Sequence, residues 1–135
     1  MTAENRVHHS DEQWAALAAM DVEGPVCMVN LLTFKEHAEY EDGRETSLSG
    51  AEAYQLYSQS MTELIRESGG SILHASQPLG MVVGEVDELW HAVAVVEYPS
   101  REEFIALIES PEVQALHVHR TAGLAGQLNI CTKAP

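Results

Sequence analysis

The sequence predicts an α+β fold, with strands and helices in the order β-α-β-β-α-β behind one extra N-terminal helix. Three observations carry this. Apolar alternating runs at Val26–Phe34 and at residues 89–98 have strand length and are rich in Val, Trp and Tyr. Between them Tyr54, Tyr57, Met61, Leu64 and Ile65 repeat at helical spacing. Ser49 with Glu52, and Ser100 with Glu103, have the spacing of capping boxes and mark helix starts.

Taken in order, residues 1–10 are polar and expected to be loose. Ser10-Asp11-Glu12 opens a short helix over residues 11–20 with Trp14, Leu17 and Ala18 on one side. Gly24-Pro25 leads into the first strand, Val26–Phe34. Met28, Asn30, Leu32 and Phe34 share one face of it, and Cys27, Val29, Leu31 and Thr33 the other. Asn30 in so apolar a strand needs a partner, either nearby backbone or a ligand. Residues 35–48 are charged and contain the turn signal Asp42-Gly43; they read as an excursion over a pocket mouth. The long helix runs over about residues 50–68 and stops at Gly69-Gly70.

Residues 71–85 read as a strand kinked at Pro78 and Gly80. Asp87-Glu88 reads as the tight turn of a hairpin into the strand at 89–98. That strand carries Trp90, Ala92, Ala94, Val96 and Tyr98 on one face and His91, Val93, Val95 and Glu97 on the other. Both faces are mostly apolar, so both are expected to be covered. Pro99 ends the pairing. A helix over 101–109 buries Phe104, Ile105 and Ile108, and Pro111 starts another on which Val113, Leu116, His117, Arg120 and Leu124 form one stripe. Residues 126–132 make the last strand. The result is a ferredoxin-like, split βαβ arrangement with a four-stranded antiparallel sheet and helices on one face. It is one domain over 1–135, with no repeat or linker. The other face is too apolar to meet water, which predicts a face-to-face homodimer.

Composition narrows the partners. Seven Lys and Arg stand against 21 Asp and Glu, a formal charge of −14. Such a surface repels phosphate backbones and anionic headgroups, so nucleic acid and membrane surfaces are set aside. No apolar run approaches the ~20 residues of a membrane helix. No signal peptide is visible, and the expected location is the cytoplasm. Cys27 and Cys131 read as buried thiols, with a disulfide open if their strands are neighbours.

Several short strings, in order and spacing, resemble one family. They are Gly24-Pro25-Val26 running into Val29-Asn30-Leu31-Leu32-Thr33-Phe34, Ser49-Gly50 with Ala53-Tyr54 and Tyr57, and Gly69-Gly70. After these come Gly84 with Glu88 and Trp90, Tyr98-Pro99-Ser100-Arg101, and His119-Arg120. Together these resemble the domain-of-unknown-function family 1330 of the dimeric α+β barrel superfamily, over about residues 22–132. The resemblance implies a ferredoxin-like protomer pairing sheet to sheet into a barrel. The superfamily includes cofactor-free monooxygenases, lactone isomerases, small ring-cleaving or cyclising enzymes, haem-dependent enzymes and ligand-binding regulators. The family itself carries no settled activity. One departure is His91, where the family pattern often has Asp after the Trp.

Chemistry-bearing motifs are few. His117 and His119 point about 200° apart on a helix and cannot share an ion. No His-Glu-x-x-His, Cys-x-x-Cys, Gly-x-Ser-x-Gly or dinucleotide fingerprint occurs. No metal and no cofactor are therefore expected. What remains is a pocket between sheet and helices, for a small-molecule ligand. His119, Arg120 and Tyr98 are the candidate catalytic groups: a histidine to move a proton, an arginine to hold a carboxylate or a developing enolate, a tyrosine tip. Asn30, Tyr54, Tyr57, Trp90 and His117 are the candidate substrate contacts, His117 from stripe geometry alone. Glu97 is a possible general base if buried, or a strand-end carboxylate beside solvent. Three functions are open: a cofactor-independent enzyme working by proton transfer, isomerisation or monooxygenation; a non-catalytic binding module; and an assembly module whose barrel is filled by side chains.

Overall fold

The computed structural model describes residues 3–135. Val26–Phe34 forms β1, the bounds expected from the Gly24-Pro25 entry and the polar exit. β1 is the central strand. It pairs antiparallel with β3, Ala92–Tyr98, with Met28 opposite Val96 and Asn30 opposite Ala94. On its other side it pairs antiparallel with β4, Leu124–Thr132, with Asn30 opposite Asn129. β2, Ser71–Ser76, joins the far side of β3, giving the order β2-β3-β1-β4. The helices are α1 Asp11–Ala19, α2 Gly50–Glu67, α3 Arg101–Glu109 and α4 Pro111–Gly123.

Alternation along the strands decides which face the helices take. Val26, Met28, Val96 and Tyr98 are buried and pack with Tyr57, Met61 and Ile65 of α2, Phe104 of α3 and Val113 of α4. The opposite face presents Cys27, Val29, Leu31, Val93, Val95, Leu128 and Ile130, none of which reaches full burial. Register places Cys131 opposite Met28 and Cys27 opposite Thr132, so the two thiols lie on opposite faces; both are free.

α2 and α4 cross at backbone contact. A Cβ on Gly123 would lie 2.2 Å from the Gly50 carbonyl oxygen, and one on Gly50 would lie 2.0 Å from that of Lys35. Only glycine permits this approach. Both serine–glutamate pairs cap as read, but with a difference. Ser49 and Glu52 form the reciprocal box, whereas Ser100 accepts from the Glu103 N–H without the return bond.

Four expectations need correction. First, β3 begins at Ala92, not at residue 89. Beyond it the His91 N–H still donates to Leu32 O, but the next bond is made by a side chain: the Phe34 N–H donates to His91 Nδ1 at 2.8 Å. Second, β2 stops at Ser76, and the connection to β3 is the long segment 77–91 instead of a tight turn at Asp87-Glu88. Pro78, Gly80 and Gly84 interrupt any ladder there, and Leu79, Val82 and Val83 stand 94, 99 and 86% exposed.

Third, the excursion 35–48 does not cross a pocket mouth. It packs on the outside of α4, where Ala38 and Tyr40 bury against Ala122, and the Glu39 N–H donates to Ala122 O. Fourth, the N-terminus is not loose where it is described. Arg6 exchanges both backbone hydrogen bonds with Gln127, and the Trp90 Nε1–H donates to Asn5 Oδ1 at 2.8 Å. Met1 and Thr2 lie outside the described residues.

Candidate active site

Between the helix-covered sheet face and helices α1, α2 and α4 lies a cavity of about 1230 Å³, flanked by the N-terminal strap of residues 4–9. Its polar end is built from three strands' worth of register. Asn30 on β1 and Gln127 on β4 both face the helices: Asn30 alternates with buried Met28 and Leu32, and Gln127 sits opposite Leu32 in the register. Asn30 Nδ2 donates to Met28 O at 3.3 Å and to Ala94 O at 3.2 Å. That fixes the amide's orientation and turns Oδ1 toward Gln127, whose Nε2 donates to it at 3.3 Å. Gln127 Oε1 in turn accepts from Arg120 Nη2 at 2.7 Å. Backbone thus satisfies the donors of Asn30, and its acceptor anchors a polar chain that ends at a guanidinium in the cavity.

Arg120 comes from α4, three residues after His117, so both side chains emerge on the same face of that helix. Both line the cavity. Burial, with Arg120 next and the strap's His8 and His9 after it, pulls the His117 imidazole below its ordinary range. It is therefore neutral at pH 7 and able to accept a proton.

An aromatic wall continues from it. Tyr57 lies 6.3 Å from His117 ring to ring, Tyr54 is 5.3 Å from Tyr57, and Phe34 is 5.2 Å from Tyr54. Burial raises the hydroxyls of Tyr54, Tyr57 and Tyr98 above the ordinary tyrosine value, while Arg120 pulls against the shift at Tyr54 and Tyr57. All three stay protonated, and no hydrogen bond to a described residue occupies them.

Of the residues singled out from the sequence, Asn30, Tyr54, Tyr57, Tyr98, His117 and Arg120 come together around this cavity. Two do not. His119 points to the other side of α4, where its Nδ1 is 2.8 Å from the Tyr40 hydroxyl and the two rings meet edge to face. Trp90 precedes β3 and closes on the strap through Asn5. Glu97 lies on the open sheet face, 3.9 Å from Cys27 Sγ. Gln127 is the residue sequence reasoning missed. Its signal was there: β4 alternates Gln127, Asn129 and Cys131 on the face that Asn30 shares. Among the described residues no three His, Cys, Asp or Glu side chains cluster as a metal site would require.

A four-stranded antiparallel sheet in this order, with helices on one face and a cavity between the two layers, defines a ferredoxin-like α+β protein. The family whose pattern matches residues 44–134 is DUF1330, a domain of unknown function, and the chain belongs to it. Two crystal structures of RPA0582, described in one of them as a protein of unknown function from Rhodopseudomonas palustris, are similar throughout. The methylated form is 34% identical with a TM-score of 0.89, covering 97% of this chain and 96% of that one. The other is 30% identical with a TM-score of 0.88, covering 98% of each. More distant structures share the fold alone. SnoaB, a cofactor-independent oxygenase from Streptomyces nogalater, is 12% identical with a TM-score of 0.53, covering 84% of this chain and 95% of its own. A dimeric ferredoxin-like protein of unknown function from Thermobifida fusca is 11% identical with a TM-score of 0.51, covering 94% and 100%. No curated protein matches the chain. Among the described residues no helix is long and apolar enough to cross a membrane.

Proposed function

We propose that the protein is a cofactor-independent enzyme that moves a proton on a small organic substrate bound between sheet and helices. The observation that carries this is the pairing of a neutral imidazole, His117, with a cation, Arg120, on one wall of a large cavity. A neutral base beside a positive field can take a proton from an enolisable carbon or a phenol and return it elsewhere, which is an isomerisation needing no further reactant. Tyr54, Tyr57 and Tyr98 supply protonated hydroxyls to the oxygen on which charge develops. His117 takes the role that sequence reasoning gave to His119, because of these two only His117 lines the cavity.

The test is deuterium incorporation from heavy water into a panel of enolisable compounds, phenylpyruvate among them, followed by NMR. His117→Ala is expected to lower the rate about 100-fold or more, while His119→Ala leaves it near wild type. Equal rates in wild type and His117→Ala would overturn the assignment. Tight binding with no exchange on any compound would favour the second reading, a non-catalytic binding module. The cavity's volume exceeds the ~300 Å³ at which ligand sites begin, as both of these readings require.

The partner we propose is a second copy of the chain, seated on the open sheet face. Val29, Leu31, Val93 and Val95 form a contiguous apolar surface there, with Ile130 at its margin 49% exposed. A patch of this kind marks an interface, and structures of this fold from Thermobifida fusca and Bacteroides fragilis are described as dimeric.

A further inference from the structure

Resting on the proposed pocket, we infer that its ligand is a flat, conjugated monoanion whose carboxylate is held by Arg120, with Gln127 and Asn30 as the residues that keep Arg120 free to hold it. The argument begins with what Arg120 lacks. In a chain with 21 Asp and Glu, this half-buried guanidinium makes no ion pair among the described residues. Its partner is the neutral Oε1 of Gln127 at 2.7 Å.

That choice is enforced, not incidental. Asn30 Nδ2 is spent on two backbone carbonyls, so Asn30 must offer oxygen to Gln127. Gln127 must then offer its amide nitrogen to Asn30 and its oxygen to Arg120. The chain of amides positions the guanidinium through one hydrogen bond without neutralising it. A charge removed from water and left uncompensated is costly unless something arrives to pair with it. Four N–H donors of the guanidinium remain for that purpose.

The rest of the lining agrees. His117 is neutral, so it adds no competing cation, and the free phenol hydroxyls of Tyr54, Tyr57 and Tyr98 all donate. A ligand that satisfies them is rich in acceptors. The aromatic run from Phe34 through Tyr54 and Tyr57 to His117 favours a flat body over a branched one. Carboxylate and guanidinium match in a two-pronged geometry that a neutral amide cannot reproduce.

Cinnamate and cinnamamide have the same shape and differ in this one group, so they serve as probes, with binding followed by calorimetry on the full chain. Wild type is expected to prefer cinnamate by about tenfold or more. Gln127→Glu places a carboxylate against Arg120 at nearly the same volume and is expected to abolish the preference, while cinnamamide binding stays within about threefold. Arg120→Met is expected to do the same. Should Arg120→Met fold poorly, Gln127→Glu alone decides. Equal binding of the two probes by wild type, with Gln127→Glu unchanged, would overturn the anion inference and leave the pocket intact. Binding of neither probe, with Tyr54→Trp also without effect on any compound exchanged in the deuterium assay, would overturn the pocket and the inference together.

Discussion

At the scale of single residues, the geometry of α4 sorts two histidines into different roles. His117 faces His8 and His9 of the strap, Tyr57 of α2 and Arg120 of its own helix. These surroundings hold its folded-state pKa below the ordinary 6.5, with burial the largest cause. The unfolded chain therefore binds this proton at a pH where the native chain does not. Stability gained from the shift is complete above about pH 6.5 and is lost as pH falls from there toward the folded value. The carboxylates that are held low, Asp42, Glu52 and Glu102, act in a more acidic window. His117→Gln is thus expected to flatten the fall in Tm between pH 7 and 5, read by calorimetry; an unaltered slope would remove His117 from that limb. Much of this site was legible beforehand. Helical spacing put His117 and Arg120 on one stripe and showed that His117 and His119 could not share a site. What it could not show was which side of α4 the sheet takes, because Ala122 and Val118 also make an apolar face there. That face is used by Tyr40, whose segment offered no periodicity to read.

At the scale of elements, the two glycines where α2 crosses α4 make a sharp expectation. Gly123→Ala pushes a methyl group into the Gly50 carbonyl, backbone against backbone. Helix propensity would favour Ala by about 1 kcal/mol, yet overpacking a rigid contact costs about 3 kcal/mol. The clash wins, and Tm is expected to fall by roughly 5–10 °C, with loss of the crossing visible as faster amide exchange in both helices. A second expectation concerns the strap. A Cβ on Gly126 would lie 2.8 Å from that of Asn5. Gly126→Val is expected to free residues 4–9 to proteolysis while leaving the core's Tm within about 2 °C. An equally protected strap would mean that the Arg6–Gln127 bridge tolerates the displacement. Strand ends explain the remaining differences. Proline and glycine bounded β1 clearly. The stretches after β2 and before β3 kept strand-like composition, with Val82, Val83 and Trp90, after their ladder had ended. Composition reports a side chain's liking for a pleated surface, not the presence of a partner strand.

At the scale of the molecule, the sheet has one face filled and one open. Val95→Lys, at the middle of the open face, is expected to turn a dimer into a folded monomer. Light scattering would measure the mass, and circular dichroism the retained fold. A monomeric wild type would remove the proposed partner. The fold class was readable from the order of strands and helices, whereas both faces of the strand at 89–98 read as apolar, so alternation did not say which face the helices take. The exposure of Leu79, Val82 and Val83 was not readable either, since a pattern cannot say what lies above it. One consequence of the order β2-β3-β1-β4 concerns time. β1 is synthesised first among the strands and waits for both of its neighbours; Met28 meets Val96 and then Cys131, each far along the chain. Until residue 98 has emerged β1 has no neighbour, and its second edge stays open until residue 132. Closing such long loops comes before any reward from pairing, which places folding toward the slow, millisecond-to-second range. A growing chain must therefore carry its most apolar strand unpaired until β3 is made, and with one edge open until the last strand is made. The high negative charge seen at the outset would there act as a safeguard, keeping nascent copies apart until the last strand arrives.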